Sequence, residues 1–132
     1  MLSVTELAST ARARLKDADG LLSLGRYDGA SYICGYAVEI ASKARIVKTL
    51  KWPGFPNSGK EFDGLQSFRT HDLRRLLYLR GRESKILAKY KAEWADIVQC
   101  DPEMRYRPPG QLSRSVAERM VRSCQNVVGR LL

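Results

Sequence analysis

Histidine is almost missing from this chain. Among 132 residues there is one, His71, so no centre can be built from several imidazoles of a single copy. Cysteine is sparse as well. Cys34, Cys100 and Cys124 are odd in number, none sits in a CxxC pair, and only His71 could join them as a nitrogen ligand. Their spacing therefore argues against a disulfide framework or a zinc site, and neither a metal nor a cofactor is expected. Long apolar runs are lacking too, and nothing approaches the roughly 20 residues that cross a bilayer. The N-terminus does not read as a secretory leader, because Glu6, Arg12 and Arg14 interrupt its spaced apolar residues. A cytoplasmic address with no membrane partner is the resulting expectation. Several nucleotide and metal motifs are absent. Asn57-Ser58-Gly59-Lys60 is only a fragment of a phosphate loop, without the leading glycine or the following hydroxyl. There is no HExxH, no EF-hand loop, and no GxGxxG after a strand.

What is present is enough apolar material for one core. Hydrophobic residues make up 44% of the chain, too many for a disordered tail, and the length fits one domain over residues 1–132. The net charge of +9 is unevenly spread. Residues 1–39 sum to −1, 40–60 to +5 with no acid at all, and 61–68 to −2. Residues 69–91 carry +6, 92–103 carry −4, and 104–132 carry +5. Basic blocks of this kind serve either as a plain solvated surface or as an attractor for phosphate-rich partners.

Helical periodicity dominates. Val4, Leu7, Ala8, Ala11, Leu15, Ala18 and Leu22 recur at three and four, with Ser3 and Glu6 placed as a capping box and Gly25 as the stop. Asp28 reads as the N-cap of a second helix. One of its stripes is Tyr27, Ala30, Cys34, Ala37, Ala41 and Ala44; Ile33, Tyr36, Ile40 and Val47 form another beside it. Two adjacent stripes predict the central helix of a bundle, and the short connection predicts an antiparallel hairpin with the first helix. Pro53 and Pro56 end this helix near Leu50, and an irregular segment follows to Phe68, long enough to be a functional or a mobile loop. Thr70 is then expected to cap a short helix with Asp72 in its first turn and Leu73, Leu76 and Leu77 on its buried face, broken at Gly81. A fourth helix carries Ile86, Leu87, Tyr90, Trp94, Ile97 and Val98. Pro102, Pro108, Pro109 and Gly110 mark a second loop. The last helix carries Leu112, Val116, Ala117, Met120, Val121, Cys124, Val127, Val128 and Leu131. The predicted fold is all-α, an antiparallel bundle of four to five helices.

Few residues could carry chemistry. His71 serves either helix capping or proton transfer. Glu39, flanked by Val38 and Ile40, is a carboxylate in the most apolar helix and needs a partner; a basic residue from a neighbouring helix is expected, and a general base is the alternative. No catalytic residue is assigned, with His71 and Glu39 the pair to fall back on. Cys34 and Cys124 fall on apolar faces and read as small buried residues. The nucleic-acid or nucleotide candidates are Arg69, Arg74, Arg75, Arg105, Tyr106 and Arg107, since arginine grips phosphate and tyrosine stacks on bases. Tyr90, in Lys89-Tyr90-Lys91, sits on an apolar stripe and is expected in the core.

Gly25-Arg26-Tyr27-Asp28-Gly29-Ala30, followed by Gly35-Tyr36-Ala37-Val38-Glu39-Ile40-Ala41-Ser42-Lys43-Ala44, resembles the second helix of HEPN domains. His71-Asp72-Leu73 with Leu76-Leu77 resembles that family's His-Asp-Leu before a leucine-rich helix, and Arg105-Tyr106 resembles a further family feature. The resemblance implies a helical bundle, often a homodimer, in some members paired with a nucleotidyltransferase in toxin–antitoxin modules. Other members are metal-independent ribonucleases that carry an Arg followed a few residues later by a His near the last helices. Here the last helix has Arg114, Arg119 and Arg122 but no histidine, and His71 follows Arg69 by two residues. The resemblance thus implies a non-catalytic binding or regulatory module for RNA, a nucleotide or a nucleotidyltransferase-type partner. A ribonuclease toxin and a structural subunit of a larger complex are the alternatives.

Overall fold

The structure, a computed structural model, describes residues 1–79, 85, 88–100, 103 and 106–132, and of residues 77 and 78 the backbone only. Among them are five α-helices: α1 (Val4–Ser23), α2 (Tyr27–Leu50), α3 (Leu73–Leu79), α4 (Lys91–Ile97) and α5 (Arg114–Leu131). No strand occurs among the described residues; Leu2 and Phe55 form one isolated antiparallel bridge. The predicted all-α bundle is what the structure shows. No helix among the described residues is long and apolar enough to cross a membrane.

The local signals at the first hairpin act as expected. Ser3 Oγ accepts from Glu6 N while Glu6 Oε2 accepts from Ser3 N at 2.8 Å, a reciprocal capping box. The Ser3 hydroxyl and backbone N–H also hold the Glu6 carboxyl below its ordinary range. At the other end Gly25 takes φ +72°, with Gly25 N bonded to Leu22 O and Arg26 N to Leu21 O. This closed turn needs a left-handed residue, and glycine adopts it without steric cost.

α2 is the centre of the bundle, packed on α1, α5 and α3. Ala30, Cys34, Ala37, Ala41 and Ala44 have no exposed surface. The second stripe divides: Ile40 and Val47 are buried, but Tyr36 is 41% exposed, so burial is narrower there than the sequence predicts. Asp28 is not the N-cap. α2 begins at Tyr27 after Arg26, and the Asp28 carboxylate reaches across to the chain before α5. It accepts from Gly110 N at 2.6 Å, Gln111 N at 3.4 Å and Leu112 N at 3.0 Å. Three converging N–H donors outcompete a local cap, and they fix where α5 enters. Ser113 then caps α5 by accepting from Val116 N.

Residues 51–68 join the core of the bundle through their aromatic rings. Trp52 packs edge-on to Phe68 at 4.9 Å, and Phe55 packs edge-on to Phe62 at 6.1 Å, with Phe55 fully enclosed. Two single-turn 3-10 helices, Lys60–Phe62 and Gln66–Phe68, connect these rings. Thr70 is not the cap of α3 either. Asp72 Oδ1 accepts from Arg74 N at 2.9 Å and Arg75 N at 3.1 Å, while Thr70 Oγ1 accepts from Asp72 N. The predicted fourth helix is interrupted at Tyr90, which leaves helical geometry at φ −118° and ψ 38°; Lys85, Ala88 and Lys89 before it are helical, and α4 follows it. Leu73, Leu76, Trp94 and Ile97 are buried as predicted. Tyr90 packs partly buried against the core. Gly81, Ile86, Leu87 and Pro102 lie outside the described residues.

Asp28→Ala should remove the acceptor of three backbone donors. Bonds to a charged group contribute about 1.5–3 kcal/mol, and the site is half-exposed, so a loss of about 1–2 kcal/mol is expected in urea unfolding. An unchanged midpoint would mean that the loop is held by other contacts.

Candidate functional site

Glu39 lies mid-helix on α2 and is 5% exposed. Its Oε1 accepts from Lys43 Nζ at 2.7 Å and faces His71 Nδ1 at 2.7 Å. The expected partner from a neighbouring helix is thus two partners of different origin. Lys43 lies one turn further along α2, and His71 precedes α3. Lys43 also sits over the Phe55 ring at 5.5 Å. Because a carboxylate only accepts, the His71 nitrogen facing it carries the proton; Nε2 accepts in the neutral ring and donates in the imidazolium. The imidazole is otherwise open, with 68% of its side-chain surface exposed.

His71, Asp72, Leu73, Arg74, Val98, Cys100 and Glu103 line a pocket of about 370 Å³. One wall is the approach to α3 and the other is the chain leaving α4. The arrangement couples an anchored carboxylate, an exposed imidazole and a flanking guanidinium. Arg74 gives such a set one anchor for an anion, beside the carboxylates of Asp72 and Glu103. The set can also orient His71 for proton transfer, as a base is oriented by a third group.

The two fallback residues, His71 and Glu39, are therefore in contact. Arg69, Arg74 and Arg75 share the same stretch, and all three are exposed. Arg69 sits over Phe62 at 5.8 Å, and Arg75 Nε donates to Ser67 O at 3.3 Å. Tyr106, 73% exposed, and Arg107 lie on the loop before α5 and do not line the His71 pocket. Arg105 lies outside the described residues. In α5, Arg114 pairs with Glu118, and Arg119 pairs with Asp96 of α4 at 3.0 Å. Asp96 also accepts from Ser123 Oγ at 2.8 Å, locking α4 onto α5.

One cluster has no signature in sequence spacing. Cys34 of α2, Cys124 of α5 and Cys100 after α4 are all buried, and their sulfurs lie within 4.8 Å of one another. Hydrogen bonding to Cys100, then burial, holds the Cys34 and Cys124 thiols well above their ordinary range. Gly35 is the signal that could have located the cluster. A Cβ there would stand 2.5 Å from Cys100 Cβ and 2.9 Å from its carbonyl oxygen, so only glycine lets that segment press against α2.

Comparison with protein-family models, with curated proteins and with solved structures finds no match.

Removing Glu39 should cost far more stability than removing His71. Glu39→Ala leaves the largely buried Lys43 without its anion, for which about 2–4 kcal/mol is expected after allowance for partial exposure. His71→Ala, at an exposed ring, should stay within about 1 kcal/mol. Guanidinium unfolding of the two variants checks the contrast, and equal losses would contradict it.

Proposed function

We propose that this chain is a HEPN-like, non-catalytic binding module for RNA. The observation that carries the reading is the exposed arginine stretch Arg69, Arg74 and Arg75 around the open His71 imidazole, which Glu39 anchors; Arg74 and His71 share a pocket whose lining also includes Asp72 and Glu103. Arg69 and Arg75 extend positive surface beside it, and the chain carries +9 overall. A phosphate needs charge and directed N–H donors, which arginine supplies and His71 adds through Nε2 in its imidazolium form. Exposed Tyr106 offers a ring for base stacking. The ordered set of HEPN-like motifs supports the same reading. From that resemblance alone come two further proposals, association with a second copy and a nucleotidyltransferase-type partner.

A second reading, a metal-independent ribonuclease, is favoured by the Glu39–His71 contact. A buried carboxylate holding an exposed imidazole is the orientation that a general base requires, and Arg74 could stabilise developing charge.

Binding should be measured by fluorescence anisotropy with a short single-stranded RNA across a salt series. Affinity should fall linearly with salt on a log–log scale. Arg74→Ala should flatten the slope by about 0.7 for each phosphate that the arginine neutralises. Affinity independent of salt would defeat the binding proposal.

The two readings separate in one incubation of the purified chain with RNA in chelator. The binding module leaves RNA intact. The nuclease cuts it, with loss of about 10²–10⁴-fold in His71→Ala.

A further inference from the structure

Three thiols from three separate elements meet in the core, and their meeting requires a glycine at position 35. Bonds of about 2.3 Å from one central atom to three sulfurs would set those sulfurs about 3.5–4 Å apart. Sulfurs already within 4.8 Å need shifts of less than about 1 Å each to reach that geometry. Sulfur ligands select soft, thiophilic centres. Among the described residues the gathered ligand atoms number three, which suits three-coordination better than the four ligands of a structural zinc site.

Charge then chooses among soft centres. Three thiolates around a monovalent ion leave −2, around a divalent ion −1, and around a trivalent centre zero. An uncompensated charge in an apolar interior costs several kcal/mol. Cys34 and Cys124 show no exposed surface, so a charge left on their sulfurs would be held away from water. The neutral complex is the one such a site accommodates.

We propose that Cys34, Cys100 and Cys124 form a binding site for a trivalent thiophilic metalloid of the arsenite class. The step balances without redox change: As(OH)₃ and three thiols give three S–As bonds and three water molecules. Each thiol proton leaves on a departing hydroxyl, so no proton is released and no charge is buried. Entry is through the pocket of about 370 Å³, where Cys100 forms part of the wall, and arsenous acid is small and uncharged. Cys100 is then the first sulfur to react, and Cys34 and Cys124 close the site from behind.

The test is titration of the reduced, folded chain with arsenite, read by native mass spectrometry and by near-ultraviolet sulfur–arsenic absorption. The expected result is one arsenic per chain, with a mass gain of one arsenic less three hydrogens and a raised Tm for the wild type. Cys34→Ala, Cys100→Ala and Cys124→Ala should each weaken uptake about tenfold or more, since closing the third bond is intramolecular. The wild-type mass and Tm readings stand alone if a variant fails to fold. No uptake by the folded chain, uptake only after denaturation, or undiminished uptake in a folded single variant would overturn the site. Displacement of arsenic by equimolar Cd(II) or Cu(I) would overturn the choice of a trivalent centre.

Discussion

The close approach that α2 permits sets where the other groups of this protein can lie. Its hidden stripe is alanine, cysteine and glycine rather than leucine, so neighbouring backbones come near enough to bring distant side chains within bonding distance. Larger neighbours supply the bulk that α2 lacks. Met120, Val121, Val127 and Val128 of α5 and Leu7 of α1 fill the interior around it. This arrangement preserves close packing, since small residues on one helix face large ones on the next. It also makes the centre intolerant of added volume, and Gly35 is the extreme case, where even a methyl group would meet backbone.

A second constraint acts on the same helix. A carboxylate on a mostly apolar helix must be satisfied where it stands, and Glu39 cannot reach water as freely as a surface acid. Lys43 supplies one contact from the next turn of α2, and His71 supplies another across 32 residues of chain. The aromatic rings of residues 52–68 fill the intervening space, and Phe55 lies beneath the Lys43 ammonium. The polar trio and the aromatic cluster therefore meet at Lys43. Phe55 lies against its ammonium, while the Glu39–Lys43 pair and His71 define where the long segment must return before α3 begins.

Much of the architecture is readable from periodicity, because helix faces are local patterns at three and four residues. Ser3 with Glu6, Gly25, the end of α2 near Leu50 and the apolar face of α5 all follow from such patterns, and each stands where the sequence places it. The failures share one cause. Local propensity assigns Asp28, Thr70 and an unbroken fourth helix, and in each case a competing contact or backbone break decides the outcome. Asp28 has three backbone donors waiting on a loop 82 residues away, a reward that no local rule registers.

The candidate sites are legible as residues and not as constellations. His71 and Glu39 each stand out alone, one as the sole imidazole and the other as an acid among apolar neighbours. Nothing in their spacing states that they touch, because the contact is made by the return of an irregular segment whose rings pack in an order set by three dimensions. The cysteines make the same point more strongly. Ligand motifs are recognised by short spacing because a short loop holds two donors near each other at small entropic cost. When rigid helices hold the donors instead, sequence distance ceases to matter, and Cys34, Cys100 and Cys124 come together without any motif. The readable trace of such a site is indirect: a glycine in the middle of a central helix, where alanine would favour the helix by about 1 kcal/mol, marks a place where another backbone has to pass.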